Sequence, residues 1–248
     1  MTPTILNLGC GIKTSPATVN IDWSVYLRLH RSRIGRALAP LWLRGYRREY
    51  FEQIEGEIVV HDLQKGIPAA DDSADAVYHS HVLEHVDRDA VPGFMAEVLR
   101  VLRPGGIHRI VVPNFERHVR DYLSSLDSEA QDHDETLVPL LEWSVLRSAH
   151  GTAAQSPLRR RVENLVLGDA RKRGQTHQWG YDRLNLTQVL EANGFVDVKQ
   201  VDFDQSAIPG WADTGLDTKP DGSPHKPGSL YMEASKPSGA EAMDASFT

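Results

Sequence analysis

The chain has 248 residues, 40% of them hydrophobic and 25% charged, with a formal net charge of −7. This is an ordinary globular composition with enough apolar material to build one large α/β core, and its acidic balance excludes a nucleic-acid binder that works by bulk electrostatics. The single cysteine, Cys10, excludes an internal disulfide and a thiolate-rich metal site, and fits a reducing compartment.

Met1-Thr-Pro-Thr runs straight into an apolar segment without the basic, apolar and small-residue regions of a secretory signal. No stretch approaches the roughly 18 apolar residues that span a bilayer. A soluble, cytoplasmic protein is expected. Ile5-Leu6-Asn7-Leu8 reads as a first strand, stopped by Gly9-Cys10-Gly11, and Val19 to Asp22 as a short second one. Residues 57–62 and 76–79 read as a third and a fourth strand. Phe94 to Leu102 has apolar residues at helical spacing and stops before Pro104-Gly105-Gly106, after which 107–112 reads as a fifth strand. Leu186 to Ala192 is a helix closed by Asn193-Gly194. Residues 196–203 and 229–234 are two late strands. Such alternation predicts a largely parallel sheet covered by helices.

Two segments interrupt this pattern. From Val25 to about residue 55, Arg28, Arg31, Arg33, Arg36, Arg44, Arg47 and Arg48 interleave with Leu27, Leu29, Ile34, Leu38, Leu41 and Trp42. The reading is a basic amphipathic helical insertion. It is either a solvated cover for the sheet or a surface for an anionic partner such as a phosphate-bearing substrate or an anionic lipid. The stretch 116–175 is helical without a strand pattern and reads as a lid; His133-Asp134-Glu135 within it is a solvated helix start. Residues 1–237 are thus expected to form one domain, and the small, polar residues 238–248 a disordered tail.

The chemistry concentrates at strand ends. Gly9 and Gly11 let the backbone turn and approach a ligand where a side chain would collide. Lys13-Thr14 follows where a third glycine is needed for a dinucleotide fingerprint, and no Gly-Lys-Ser/Thr ending is present. Asp22, at the end of the second strand, can accept both hydrogens of a ribose diol, and Asp62-Leu63 after the third can receive and pack an adenine. Acceptors at the ends of successive strands lie where open α/β sheets bind ligands.

The run Leu6-Asn-Leu-Gly-Cys-Gly11, Asp22, His61-Asp-Leu63, "DDSADAVYHSHVLEHV" and "EVLRVLRPGGIHRIVVPN" resembles the class I S-adenosylmethionine-dependent methyltransferases, in particular those associated with bacterial glycan assembly. The likeness is strong over residues 5–114 and returns at "HQWGYDRLNLTQVLEANGF". It implies a Rossmann-like seven-stranded, mostly parallel sheet with an antiparallel last strand, and S-adenosylmethionine as cofactor. It further implies that Gly9, Cys10 and Gly11 flank the methionine and ribose, Asp22 and Trp23 the ribose, and Asp62 and Leu63 the adenine. His79, Ser80 and His81, at the end of the fourth strand, would face the methionyl group and the transferred methyl. Asn7 stands where an acidic residue is common, so the cofactor's amino group would be held by carbonyls or water. The link from Gly11 to Asp22 is too short for a full helix, which leaves that side less covered.

His81, His85 and His177 are the candidate bases for a hydroxyl acceptor, because an unperturbed imidazole titrates near neutrality. His81-Val-Leu-Glu84-His85 also matches the inverted zinc-peptidase pattern. That pattern needs a helix and a third ligand, and its first histidine falls at a strand end, so no metal is expected. His177, Trp179, Tyr181 and Asp182 offer stacking and hydrogen bonding for a sugar, or else anchor a loop before the next helix. The expected activity is methyl transfer to oxygen of a small, anionic or glycan-linked acceptor. The alternatives are N- or C-methylation of a small metabolite, or a degenerate cofactor-binding adaptor using the basic insertion for weak membrane-surface contact.

Overall fold

A computed structural model of the chain describes residues 3–144 and 177–238. Strand β1 (Ile5–Leu8) is buried at all four positions, as befits a strand covered on both faces. It pairs in parallel with β2 (Val19–Asp22) and β4 (Ala74–Ser80), and β2 pairs in parallel with β3 (Ile58–Val60). On the other side, β4 pairs in parallel with β5 (Leu102–Pro113). The chain returns through β6 (Val196–Val201) and β7 (Ser229–Ser235), and β7 inserts antiparallel between β5 and β6. The order is β3-β2-β1-β4-β5-β7-β6. This is the expected Rossmann-like sheet with its antiparallel last strand.

The fifth strand starts earlier than the sequence predicts. Pro104-Gly105-Gly106 reads locally as a stop, yet β5 runs through it, with Gly105 at φ +75° and a register shift between Ala74 and Ala76 on the partner strand. Pairing of Leu102 with Ala74 and of Ile107 with Ala76 outweighs the local turn preference and leaves an irregularity between them.

One face of the sheet packs under α4 (Val91–Val101) and α7 (Arg183–Ala192). There Phe94, Met95, Val98, Leu186 and Leu190 meet Leu6, Leu8, Val77 and Ile110. The other face buries Ile5, Tyr78, Val111 and Tyr231 against Ile208, Trp211 and Leu216 of the segment before β7. Asp182 caps α7 with its carboxylate on the Leu184 and Asn185 amides, and the Asn185 side chain accepts from the Asp182 amide in return.

The basic insertion folds as three short helices, α1 (Val25–Arg31), α2 (Arg33–Trp42) and α3 (Tyr46–Glu52). Leu27, Ala39 and Phe51 pack with Ile54 into a small separate cluster. The α2 residues Ile34, Leu38 and Leu41 are 72%, 48% and 70% exposed. The stretch expected as a lid opens with α5 (Phe115–Asp127) and α6 (His133–Ser144), and His133 is the first residue of α6. Its remainder and the tail after residue 238 lie outside the described residues. No described helix is long and apolar enough to cross a membrane.

Candidate active site

The carboxyl ends of β1, β2, β3 and β4 share one edge of the sheet, because these strands run parallel. At the end of β1 the chain turns through Gly9 and Gly11, at φ +63° and +56°. A Cβ at Gly9 would lie 2.5 Å from Val82 Cγ2, and one at Gly11 would lie 2.9 Å from the Tyr50 hydroxyl. The positive φ favours glycine at both, and at Gly9 the Val82 side chain leaves no room for a Cβ. The Gly9 and Cys10 amides donate to the Ile21 carbonyl. Cys10 is buried, and burial pushes its thiol up to about 12, which leaves a neutral packing group rather than a nucleophile.

Asp22 sits beside this turn. Its two carboxylate oxygens accept from the Gly11 amide at 2.9 Å and the Ser24 amide at 2.6 Å. Each carboxylate oxygen accepts more than one hydrogen bond, so the group is oriented by backbone and keeps acceptor sites for a diol. Trp23 is 43% exposed, with the Arg28 guanidinium 4.5 Å and the Lys65 ammonium 5.8 Å from its ring. After β3, Asp62 caps a short 3-10 turn through the Gln64 amide. Half-buried Leu63 leans on the α4-side core. A positive-φ turn free of side chains, a pinned carboxylate beside it and a second carboxylate one strand further fit a nucleoside-bearing cofactor.

Two residues near the glycine turn have their side chains engaged elsewhere. Asn7 is 2% exposed, and its amide donates to the Lys13 carbonyl at 2.9 Å and to Asn20 Oδ1 at 3.0 Å. Asn20 Oδ1 also accepts from the Ser15 amide and the Thr18 hydroxyl. Asn7 is therefore a strut that holds the short link between β1 and β2, with both amide hydrogens spent inside the loop. His79 is fully buried on the α4 side of the sheet, against Phe94 and with its Nε2 3.0 Å from His108 Nε2. Burial lowers it to about 4. Strand alternation points its ring into the core, away from the strand ends. Ser80, one residue on, is partly buried at the end of β4.

His81 follows with φ +56°, a conformation rare outside glycine that clusters at functional sites. Its amide donates to the Val111 carbonyl. Its Nδ1 lies 3.3 Å from Glu84 Oε1, and its Nε2 lies 2.9 Å from the Ser229 hydroxyl. Glu84 is 1% exposed and stands in the 3-10 turn Leu83–His85. Burial alone pushes its carboxyl up, but the adjacent His81 and His85 imidazoles outweigh that and hold it below its ordinary value.

The segment after the lid returns to this turn. The Gln178 amide donates to the Glu84 carbonyl at 2.6 Å, and the His177 ring stands 4.8 Å from the His85 ring. Tyr181 is buried, its carbonyl accepts from the Phe115 amide, and the Arg88 guanidinium lies 3.8 Å from the Trp179 ring. The three candidate bases His81, His85 and His177 thus surround one buried carboxylate. Of the compact aromatic run, Tyr181 and Asp182 anchor the loop and the helix, while Trp179 stays 41% exposed. Sequence reasoning missed Tyr50, Asn20 and Ser229. Only Asn20, two residues before Asp22 and alternating with it along β2, carried a local signal.

Residues 6–110 match the family model described as a methyltransferase domain. No curated protein matches the sequence. Among solved structures, a SAM-dependent methyltransferase from Methanosarcina mazei is 18% identical, with a TM-score of 0.45 over 95% of this chain and 93% of that one. A SAM-dependent methyltransferase from Archaeoglobus fulgidus is 13% identical, with a TM-score of 0.43 over 94% and 86%. The 1,6-didemethyltoxoflavin-N1-methyltransferase of Burkholderia thailandensis, solved with S-adenosylhomocysteine, is 14% identical, with a TM-score of 0.41 over 95% and 71%. The matched residues 6–110 run from β1 into β5 and so include the glycine turn, Asp22, Asp62 and the His81–His85 turn.

Proposed function

We propose that the chain is an S-adenosylmethionine-dependent methyltransferase that methylates an oxygen of a small acceptor, a sugar or glycan precursor. The observation that carries this reading is the buried Glu84 carboxylate beside His81 Nδ1. An oxygen acceptor, unlike most amines, must lose its proton as it attacks, so it needs a base at the strand ends. Glu84 orients His81 with Nδ1 as donor and leaves Nε2 as the basic nitrogen. Ser229, whose hydroxyl meets Nε2 at 2.9 Å, marks a position where hydroxyl oxygen fits.

When bound, the cofactor supplies an electrophilic methyl group on a sulfonium for in-line displacement. Gly9 and Gly11 would leave room for its methionyl and ribosyl parts, Asp22 would take the ribose hydroxyls, and Asp62 with Leu63 the adenine. Alignment supplies most of the rate, and a positioned base adds roughly 10²–10⁴. Exposed Trp179 under Arg88 offers a flat face and a cation, which suits an anionic sugar. The basic insertion, with Ile34, Leu38 and Leu41 exposed among arginines, would add weak contact with an anionic lipid surface.

The test is release of S-adenosylhomocysteine from a panel of sugars, nucleotide-sugars and small amines. A sugar hydroxyl should turn over, and His81→Asn should lower kcat about 10²–10⁴-fold with cofactor affinity unchanged. Turnover confined to amines, or full activity in His81→Asn, would contradict the reading.

A further inference from the structure

The Glu84, His85 and His177 ligand atoms all lie within 4.8 Å of one another. Adjacent residues of one 3-10 turn supply two of them. The third is brought from beyond the lid by the Gln178–Glu84 backbone hydrogen bond. Apart from His81 Nδ1 at 3.3 Å, no donor among the described residues meets either Glu84 oxygen, although the carboxylate is 1% exposed. On the other side of the carboxylate, His85 Nε2 lies 4.0 Å from Glu84 Oε1. A buried carboxylate with so few donors calls for a counter-charge.

We propose that Glu84, His85 and His177 bind one divalent transition-metal ion of the zinc class. Two imidazoles and a carboxylate suit Zn²⁺ and its first-row neighbours, while Mg²⁺ prefers an all-oxygen shell. Ligands around tetrahedral zinc stand about 3.3 Å apart, given bonds of about 2.0–2.1 Å. Closing the trio from its present span therefore takes about 1–1.5 Å, within reach of rotation of the two half-buried imidazoles. His81, beside the Glu84 carboxylate, would orient it from behind. The sequence pattern His-x-x-Glu-His is thus answered differently from a peptidase: the first histidine yields its ligand role to His177. Three protein ligands leave a fourth position open. Resting on the oxygen-acceptor reading, that position would hold the acceptor hydroxyl and lower its pKa.

The experiment titrates Zn²⁺ alone into the untagged chain, cleared beforehand with chelator, and counts bound metal after gel filtration. One zinc per chain should bind to the wild type and to His133→Ala, a histidine outside the trio. His177→Ala should bind at least tenfold more weakly. Thermal melting in chelator checks that His177→Ala folds, and added Zn²⁺ should raise the wild-type Tm but not that of the variant. Glu84→Gln, which keeps the shape of the buried side chain, should lose zinc as well. No stoichiometric uptake by the wild type, or undiminished uptake by folded His177→Ala, would overturn the site. Cofactor titration of the chelated wild type reports separately on the methyl-transfer reading. Zinc uptake that depends on His177 supports the metal site whatever that titration gives.

Discussion

Lys13 shows how the site's frame governs individual residues. It follows the glycine turn, and its ammonium donates to the Tyr78 hydroxyl at 3.0 Å and stands 3.7 Å from Asp217. Burial dominates and lowers it to about 8, with the Asp217 charge opposing and Lys226 and Arg109 assisting. Between that value and its ordinary value near 10.5 the unfolded chain binds the proton that the folded chain has released. Stability from this group therefore rises with pH across that window, by at most about 1.4 kcal/mol per pH unit. Denaturant titrations at pH 7.5, 8.5 and 9.5 should show the wild type gaining on Lys13→Met as pH rises; parallel curves would contradict the shift. Residue-scale features were legible where they are local: the glycine turn at Gly9 and Gly11 and the strand-end carboxylate of Asp22 stand where the sequence puts them. What the side chains of Asn7 and His79 face was not legible, because that depends on which helices and loops cover the sheet, and this is settled by packing far along the chain.

At the scale of elements, local signals marked existence better than extent. The strands at Ile5 and Val19 were read to the residue. By contrast β5 overran a Pro-Gly-Gly signal, since ladder pairing with β4 and β7 offsets the local cost. The insertion was recognised as helical and basic, with cover for the sheet and a surface for an anionic partner both open. Leu27 of α1, Ala39 of α2 and Phe51 of α3 form its covered cluster, and Tyr50 of α3 brings its hydroxyl beside Gly11. Helix α2 keeps Ile34, Leu38 and Leu41 in solvent. Liposomes containing anionic lipid should therefore retain the wild-type chain at low salt. Replacing Arg44, Arg47 and Arg48 by alanine should release it, each charge near the surface contributing about 1 kcal/mol. Equal retention on neutral liposomes would leave the arginines without that role.

Across the whole molecule, one buried ionic network ties the parallel half of the sheet to the returning strand. Arg109 of β5 is fully buried and reaches Asp217 and Glu233 at 2.8 Å each, as well as the carbonyls of Gln205 and Phe203. Asp217 in turn accepts from Tyr78 of β4 at 2.6 Å. Strand β7 lies beside β5, so Glu233 pairs directly opposite Arg109. A charged residue inside an apolar strand gave no hint of these partners, the farthest of which lies 124 residues away in sequence. Arg109→Met should cost roughly 3–5 kcal/mol in denaturant unfolding, because it strands two buried carboxylates, and adding Glu233→Gln should recover part of the loss. A loss below about 1 kcal/mol would contradict the buried pairing.

Cofactor binding at the glycine turn underlies the proposed methyl transfer. Calorimetric titration of S-adenosylmethionine and S-adenosylhomocysteine into the wild type and Asp22→Ala tests it most directly. Micromolar binding to the wild type that collapses in a folded Asp22→Ala is the predicted result. Absence of binding to folded wild type, or equal affinity in the variant, would contradict the placement of the cofactor at the ends of β1 and β2.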